Sequence, residues 1–177
     1  MDWVNAELKP FFDNIDTSWN PTFLVSRKGE SVPDLYRRGE LFMDAFIRRI
    51  NEGGFGGDHE RVLLVSHAAT VITLAQALLG DTAIGRELRV GCCTLSTFDR
   101  HETAAQEDTI GSDVWKARGK LATADFLTNG VERDWGMADI ETKNGVVVED
   151  DGVPGTNGEE DIDFGLQKWN AHSASRM

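Results

Sequence analysis

The sequence predicts an α/β protein: a partial doubly wound, mostly parallel sheet with an irregular acidic carboxyl-terminal extension. Three observations carry that reading. Residues 30–51 show helical spacing of apolar side chains, "RVLLVS" at 61–66 is a compact apolar run of strand length, and "AATVITLAQALL" at 68–79 follows it at once. Helix, glycine loop, apolar strand and helix, with "CCTLSTF" as a second strand at 92–98, form the alternation of an open sheet covered by helices.

Each element has local grounds. Leu35, Phe42, Phe46 and Ile50 recur at spacings of seven, four and four, which places them on one helical face. Ser31 suits the N-cap, Pro33 the first turn, and Arg48 and Arg49 the carboxyl-terminal end. "NEGGFGGDHE" then breaks the helix with four glycines. Val62 to Val65 is continuously apolar, the habit of a parallel strand covered on both faces. Gly80 stops the second helix, and Asp81 to Val90 reads as a connection. Residues 1–29 mix a short amphipathic start with the loop-like "NIDTSWNP", and Pro10 interrupts any long helix there.

Past Asp99 the pattern weakens. Residues 1–100 form the α/β part, residues 101–140 a divergent extension packing on it, and residues 141–177 an acidic tail that reads as disordered. The final "FGLQKWNAHSASRM" reads as a docking peptide or as nothing structured, and Trp115, Phe126 and Trp135 give the extension an aromatic surface.

Composition excludes several classes of function. The chain has 177 residues and a formal charge of −12, so it repels nucleic acid overall. No stretch approaches the roughly 18 apolar residues of a membrane span, and the first residues have no signal-peptide pattern. The expected location is cytoplasmic or nuclear. Cys92 and Cys93 are the only cysteines, and their adjacency gives neither a disulfide framework nor metal-ligand spacing. On a strand they would point to opposite faces and serve as packing residues. No metal and no cofactor are expected. "SHAAT" lacks the G-x-S-x-G elbow of a triad hydrolase, and "GGFGG" lacks the lysine of a P-loop.

The chemical candidate is His67. At the carboxyl end of a buried strand and just before a helix, it occupies the place where open sheets hold ligands. The backbone amides of Ala68 and Ala69, with that of Thr70, point from the helix start and suit an anion such as a phosphoryl group. A histidine bonded to a neighbouring carbonyl in the core is the alternative at this stage. His59, His101 and His172 read as solvated surface.

"GESVPDLYRRGELFMDAFI" followed by "VLLVSHAATVITLAQALLG" resembles the carboxyl-terminal half of the histidine phosphatase superfamily, the phosphoglycerate mutase-like fold, over roughly residues 29–100. The Gly-Glu-Ser motif corresponds to Gly29, Glu30 and Ser31, the arginine eight residues after the glutamate to Arg38, and the small residue and histidine to Ser66 and His67. Within the superfamily the chain looks like the phosphatase domains of ubiquitin-associated, SH3-containing proteins. It also resembles a phosphatase-like domain of a fungal transcription factor.

The resemblance implies that His67 is the second pocket histidine, an acid/base or phosphate contact, with Glu30 and Arg38 in support. It implies a phosphorylated small molecule or phosphoprotein as ligand, or a protein partner or second copy in place of turnover. Ala68 departs mildly from the glycine usual after that histidine. The Arg-His-Gly motif that supplies the family's nucleophile is absent, and the second pocket arginine has no counterpart. Glu7, Asp13 and Asp16 lie where the proton donor is sought. A histidine-type phosphatase or mutase relative is therefore expected to be inactive in this chain, with a catalytically dead interaction module as the alternative. The strand missing beside Val62–Val65 leaves that segment with an unpaired flank, and residues 1–29 are the local candidates to fill it.

Overall fold

The structure, a computed structural model, describes residues 23–25, 30–57, 59–101 and 109–140, and the backbone alone of 142–143, 146–147 and 165–166. The elements in chain order are β1 (Phe23–Leu24), α1 (Val32–Asn51), α2 (Ala68–Leu79), α3 (Thr82–Glu87), β2 (Phe98–Arg100), β3 (Trp115–Ala117), a 3₁₀ turn (Met137–Asp139), β4 (Thr142–Lys143), β5 (Val146–Val147) and β6 (Gly165–Leu166).

α1 forms where its caps and periodicity place it. The Ser31 hydroxyl accepts from the Asp34 amide at 3.3 Å, and Asp34 Oδ2 accepts from the Ser31 amide at 3.2 Å, so each residue satisfies an orphan group of the other. Arg48 and Arg49 sit in the last turn, against the negative end of the helix dipole. The deepest face is Gly39, Met43 and Ile47, one position on from the expected Phe42 and Phe46. Those two phenylalanines stack at 5.3 Å and stay partly open. The shift has a packing cause. Gly39 lies against Thr73 of α2, where an added Cβ would come within 3.2 Å of the threonine side chain, so its small size lets the two helices approach closely.

α2 is the central element, packing on α1, α3 and β3. Ile72, Thr73, Ala75, Ala77 and Leu78 are buried, Ile72 completely. Ala75 and Leu78 are covered by later parts of the chain. One cluster joins Met43 and Ile47 to Ala77 and Leu78 under Phe98, Ile110 and Trp115. The other joins Ile72 to Val90 and Ala122 under Leu88, Trp135 and Met137. Segments from 88–140 therefore close both sides of α2. Gly80 ends the helix in the left-handed region at φ 65°, its amide on the Gln76 carbonyl. The Leu78 carbonyl accepts the amide of Gly111 at 2.9 Å.

The sheet departs from expectation. Among the described residues every paired strand is antiparallel: β1 with β6, β2 with β3, and β4 with β5. Residues 61–67 form no strand, and no backbone hydrogen bond among the described residues pairs 61–66 with another segment. The fold is thus mixed helix and strand, and the parallel sheet is absent from the described residues. The strand read at 92–98 is also corrected. Residues 92–93 form a turn, Leu95 makes an isolated bridge to Thr123, and the strand begins only at Phe98. Asp81–Val90, read as a connection, contains α3, whose start is capped by the Asp81 carboxylate on the Ala83 amide at 2.9 Å. Most of residues 1–29 and 141–177 lie outside the described residues, as do Glu7, Asp13, Asp16 and His172.

Arg89 ties the second cluster's rim together, donating to Asp134 at 2.5 Å and to Asp139 at 2.9 and 3.1 Å. The Arg89 guanidinium and the Gly136 amide hold the Asp139 carboxyl below the usual carboxylate range. Arg118 does the same to Asp99. A depressed folded pKa gives stability that is present above the unfolded value and lost as pH falls through the folded one. The expected result is a melting temperature flat from neutral pH to about 5 and falling below about pH 4, the ordinary carboxylate range. Arg89→Met should lower the neutral plateau and flatten part of that acid limb. Thermal scans across pH would test this, and an unchanged acid limb would contradict the ion-pair origin.

Candidate functional site

His67 is the N-cap of α2, in extended backbone at φ −80° and ψ 158°, and its carbonyl accepts from the Val71 amide at 2.9 Å. Its side chain is exposed and makes no capping bond. The core-histidine alternative is thereby excluded. The helix starts at Ala68, immediately after the histidine. The amides of Ala68, Ala69 and Thr70 occupy the first turn, where a helix leaves its donors without intrahelical acceptors and carries its positive dipole end. That arrangement can attract an anion, though Asp, Glu or basic side chains are absent from the turn.

Glu30 and Arg38 are brought together with each other. Arg38 Nε donates to Glu30 Oε1 at 2.7 Å and Nη2 to Oε2 at 2.8 Å, a forked pair with about a fifth of each side chain exposed. Beside this pair, the Ser31 hydroxyl and amide hold the Asp34 carboxyl below its usual range. The Arg38 charge is thus paired with the carboxylate that precedes the α1 cap, and among the described residues no hydrogen bond or ion pair links His67 to either partner. Gly39, the next residue, packs on Thr73 of α2. The pair uses Nε and one N–H of Nη2, so Arg38 is held in place by Glu30 with donors to spare.

The other two described histidines, His59 and His101, have no bond to His67. His59 Nε2 lies 3.3 Å from the Phe55 carbonyl at the end of the glycine loop, and His101 is half-buried with its amide on the Val114 carbonyl at 2.8 Å. Among the described residues no group of three His, Cys, Asp or Glu side chains is placed to hold a metal. None of the described helices is long and apolar enough to cross a membrane.

The segment leading to His67 has the composition of a covered strand and is open, as a missing neighbour on its flank implies. Val62 is 49%, Leu63 74%, Leu64 42% and Val65 87% exposed. Four consecutive apolar side chains in solvent are unusual on a protein surface. Sequence reasoning missed a second feature. Cys92 and Cys93 are both exposed, and they wall a groove of about 220 Å³ with the turn 127–130 and Glu132. The preceding Gly91 and the cysteine adjacency were the only signals of a turn.

No family model matches the chain. It is similar to the transcription factor tau 55 kDa subunit of Saccharomyces cerevisiae, at 29% identity over 147 residues, covering 72% of this chain and 33% of that protein. The chain thus spans about a third of the length of the curated relative it matches.

Proposed function

We propose that this chain is a histidine-phosphatase-like interaction module without phosphatase turnover, working in the nucleus as part of a protein assembly. The observation that carries the reading is the exposed run Val62–Val65 leading into α2, which pairs with no strand among the described residues. An extended apolar segment with open amides and carbonyls accepts a strand from another polypeptide, whose main chain completes the hydrogen bonds and whose side chains cover the apolar faces. The occupant we assign is an extended, apolar segment of a protein partner. The name of the similar yeast protein, a transcription factor subunit, supports the nuclear assembly. The 177 residues carry no Arg-His-Gly to take a phosphoryl group, and Arg38 is engaged by Glu30. His67 with the Ala68 and Ala69 amides stays in this proposal as an anion contact at the strand's end.

Photo-crosslinking tests it. A benzoylphenylalanine placed at Val65 in the chain expressed in its own cells should label one defined protein, within an extended apolar segment identified by mass spectrometry. Leu64→Pro removes an amide from the pairing edge at an exposed position and should abolish that label while leaving the melting temperature unchanged. Crosslinks only between copies of the chain, crosslinks that survive Leu64→Pro, or none above a probe at Lys120 would overturn the reading.

A further inference from the structure

The two cysteines present chemistry that the interaction reading does not use. Cys92 and Cys93 are the central pair of a turn in which the Gly91 carbonyl accepts both the Thr94 hydroxyl at 3.0 Å and the Thr94 amide at 3.4 Å. The turn is anchored from outside, since the Cys92 amide donates to the Glu132 carbonyl at 2.8 Å. Cys93 has a φ of 58°, in the left-handed region that disfavours a residue with a Cβ. Strain of that kind at a non-glycine residue is a pointer to a functional position. Both thiols are free and exposed, and both face the groove formed with Leu127, Gly130 and Glu132.

We infer that Cys92–Cys93 is a site of reversible two-electron oxidation by small hydroperoxides, closing to a disulfide between neighbours. One thiolate attacks the peroxide oxygen, the O–O bond breaks, and the cysteine becomes a sulfenic acid while water or an alcohol leaves. The adjacent thiol then attacks the sulfenic sulfur, its proton leaves with the hydroxide as water, and the S–S bond forms. One peroxide is reduced by two electrons and two thiols are oxidised by the same two.

Adjacency decides the second step. The resolving thiol is one residue away, so closure within the turn outruns encounter with a second chain at ordinary concentrations. Adjacency also sets the lifetime. Adjacent Cα atoms stand about 3.8 Å apart across a trans peptide, short of the roughly 4.4–6.8 Å that unstrained disulfides span. A strained bond is easily reduced, so this one serves as a transient mark under reducing conditions and not as a staple. Closure draws two separate sulfurs into one covalent edge of the groove and fixes the turn that Glu132 anchors.

The test uses the whole chain, reduced, freed of thiol and titrated with hydrogen peroxide. The monomer mass should fall by two hydrogens, two iodoacetamide-reactive thiols should disappear together, and dithiothreitol should restore both. Peptide mapping should place the bridge inside the 92–93 fragment. In Cys92→Ser or Cys93→Ser the reaction should stop at a sulfenic acid that dimedone traps. Disulfide-linked dimers as the main product, or sulfinic acids that dithiothreitol does not reverse, would overturn the inference.

Discussion

Ile72→Ala should remove a large share of this protein's stability, about 2–5 kcal/mol on the usual cost of truncating a buried isoleucine. Ile72 is fully buried, in contact with Val90 and Ala122 and packed under Leu88, Trp135 and Met137. Its neighbours come from three separate parts of the chain, so none can collapse into the vacancy without dragging its own segment. Against a net stability of roughly 5–15 kcal/mol, that loss approaches half of the total. For a chain of this size it lowers the melting temperature by about 5–20 °C. Ile72→Val should cost only about 0.5–1.5 kcal/mol. Leu63→Ala makes the contrast: the same kind of truncation at a 74% exposed position should stay within about 0.5 kcal/mol. Chemical denaturation of the three variants decides the matter. Equal losses for Ile72→Ala and Leu63→Ala would mean that the core is not where the packing places it.

The second large effect is expected from the smallest change, Gly91→Ala. An added Cβ would lie 2.6 Å from Val131 Cγ1 and 2.7 Å from the Glu132 carbonyl oxygen. The side chain can rotate away; the carbonyl cannot, because it accepts the Cys92 amide. The backbone of 90–92 must therefore separate from 132–135. The reciprocal Val90–Trp135 hydrogen bonds, at 2.9 and 3.0 Å, lie on the same seam. Overpacking costs about 1–3 kcal/mol, and each lost hydrogen bond about 1 kcal/mol more. A total of about 2–4 kcal/mol should appear as a lower denaturation midpoint, together with weaker fluorescence contrast at Trp135. A midpoint within error of the parent would show that the two segments have room to spare.

How much of this was legible beforehand depends on what kind of signal each element leaves. α1 and α2 were readable because helical periodicity over twelve or more residues, a serine cap and a left-handed Gly80 are all written locally. α3 was not, since six residues make fewer than two turns and show no period. The run at Val62–Val65 has the composition of a covered strand, but composition states what a segment would bury and is silent on what is there to bury it. The antiparallel pairs of two or three residues depend on partners up to the far end of the chain and leave almost no trace in sequence. At the candidate site, the position of His67 before a helix was legible. The closing of Arg38 onto Glu30 was not, because both residues were read by their family roles instead of by their mutual reach. The Cys92–Cys93 turn escaped because a left-handed cysteine breaks the rule by which such turns are recognised.

The bond from Gly111 to the Leu78 carbonyl gives the molecule an order of assembly in time. A ribosome adds about 5–20 residues each second, so the last turn of α2 emerges seconds before the Gly111 amide that its Leu78 carbonyl accepts. During that interval Ile72 and Leu78 also await Val90, Ile110, Trp115 and Trp135, all made later. The nascent chain therefore passes through a stage with its most apolar helix complete and bare. Translation speed between residues 80 and 135, set by codon choice as much as by amino-acid sequence, thus governs how long chaperones have that helix to themselves.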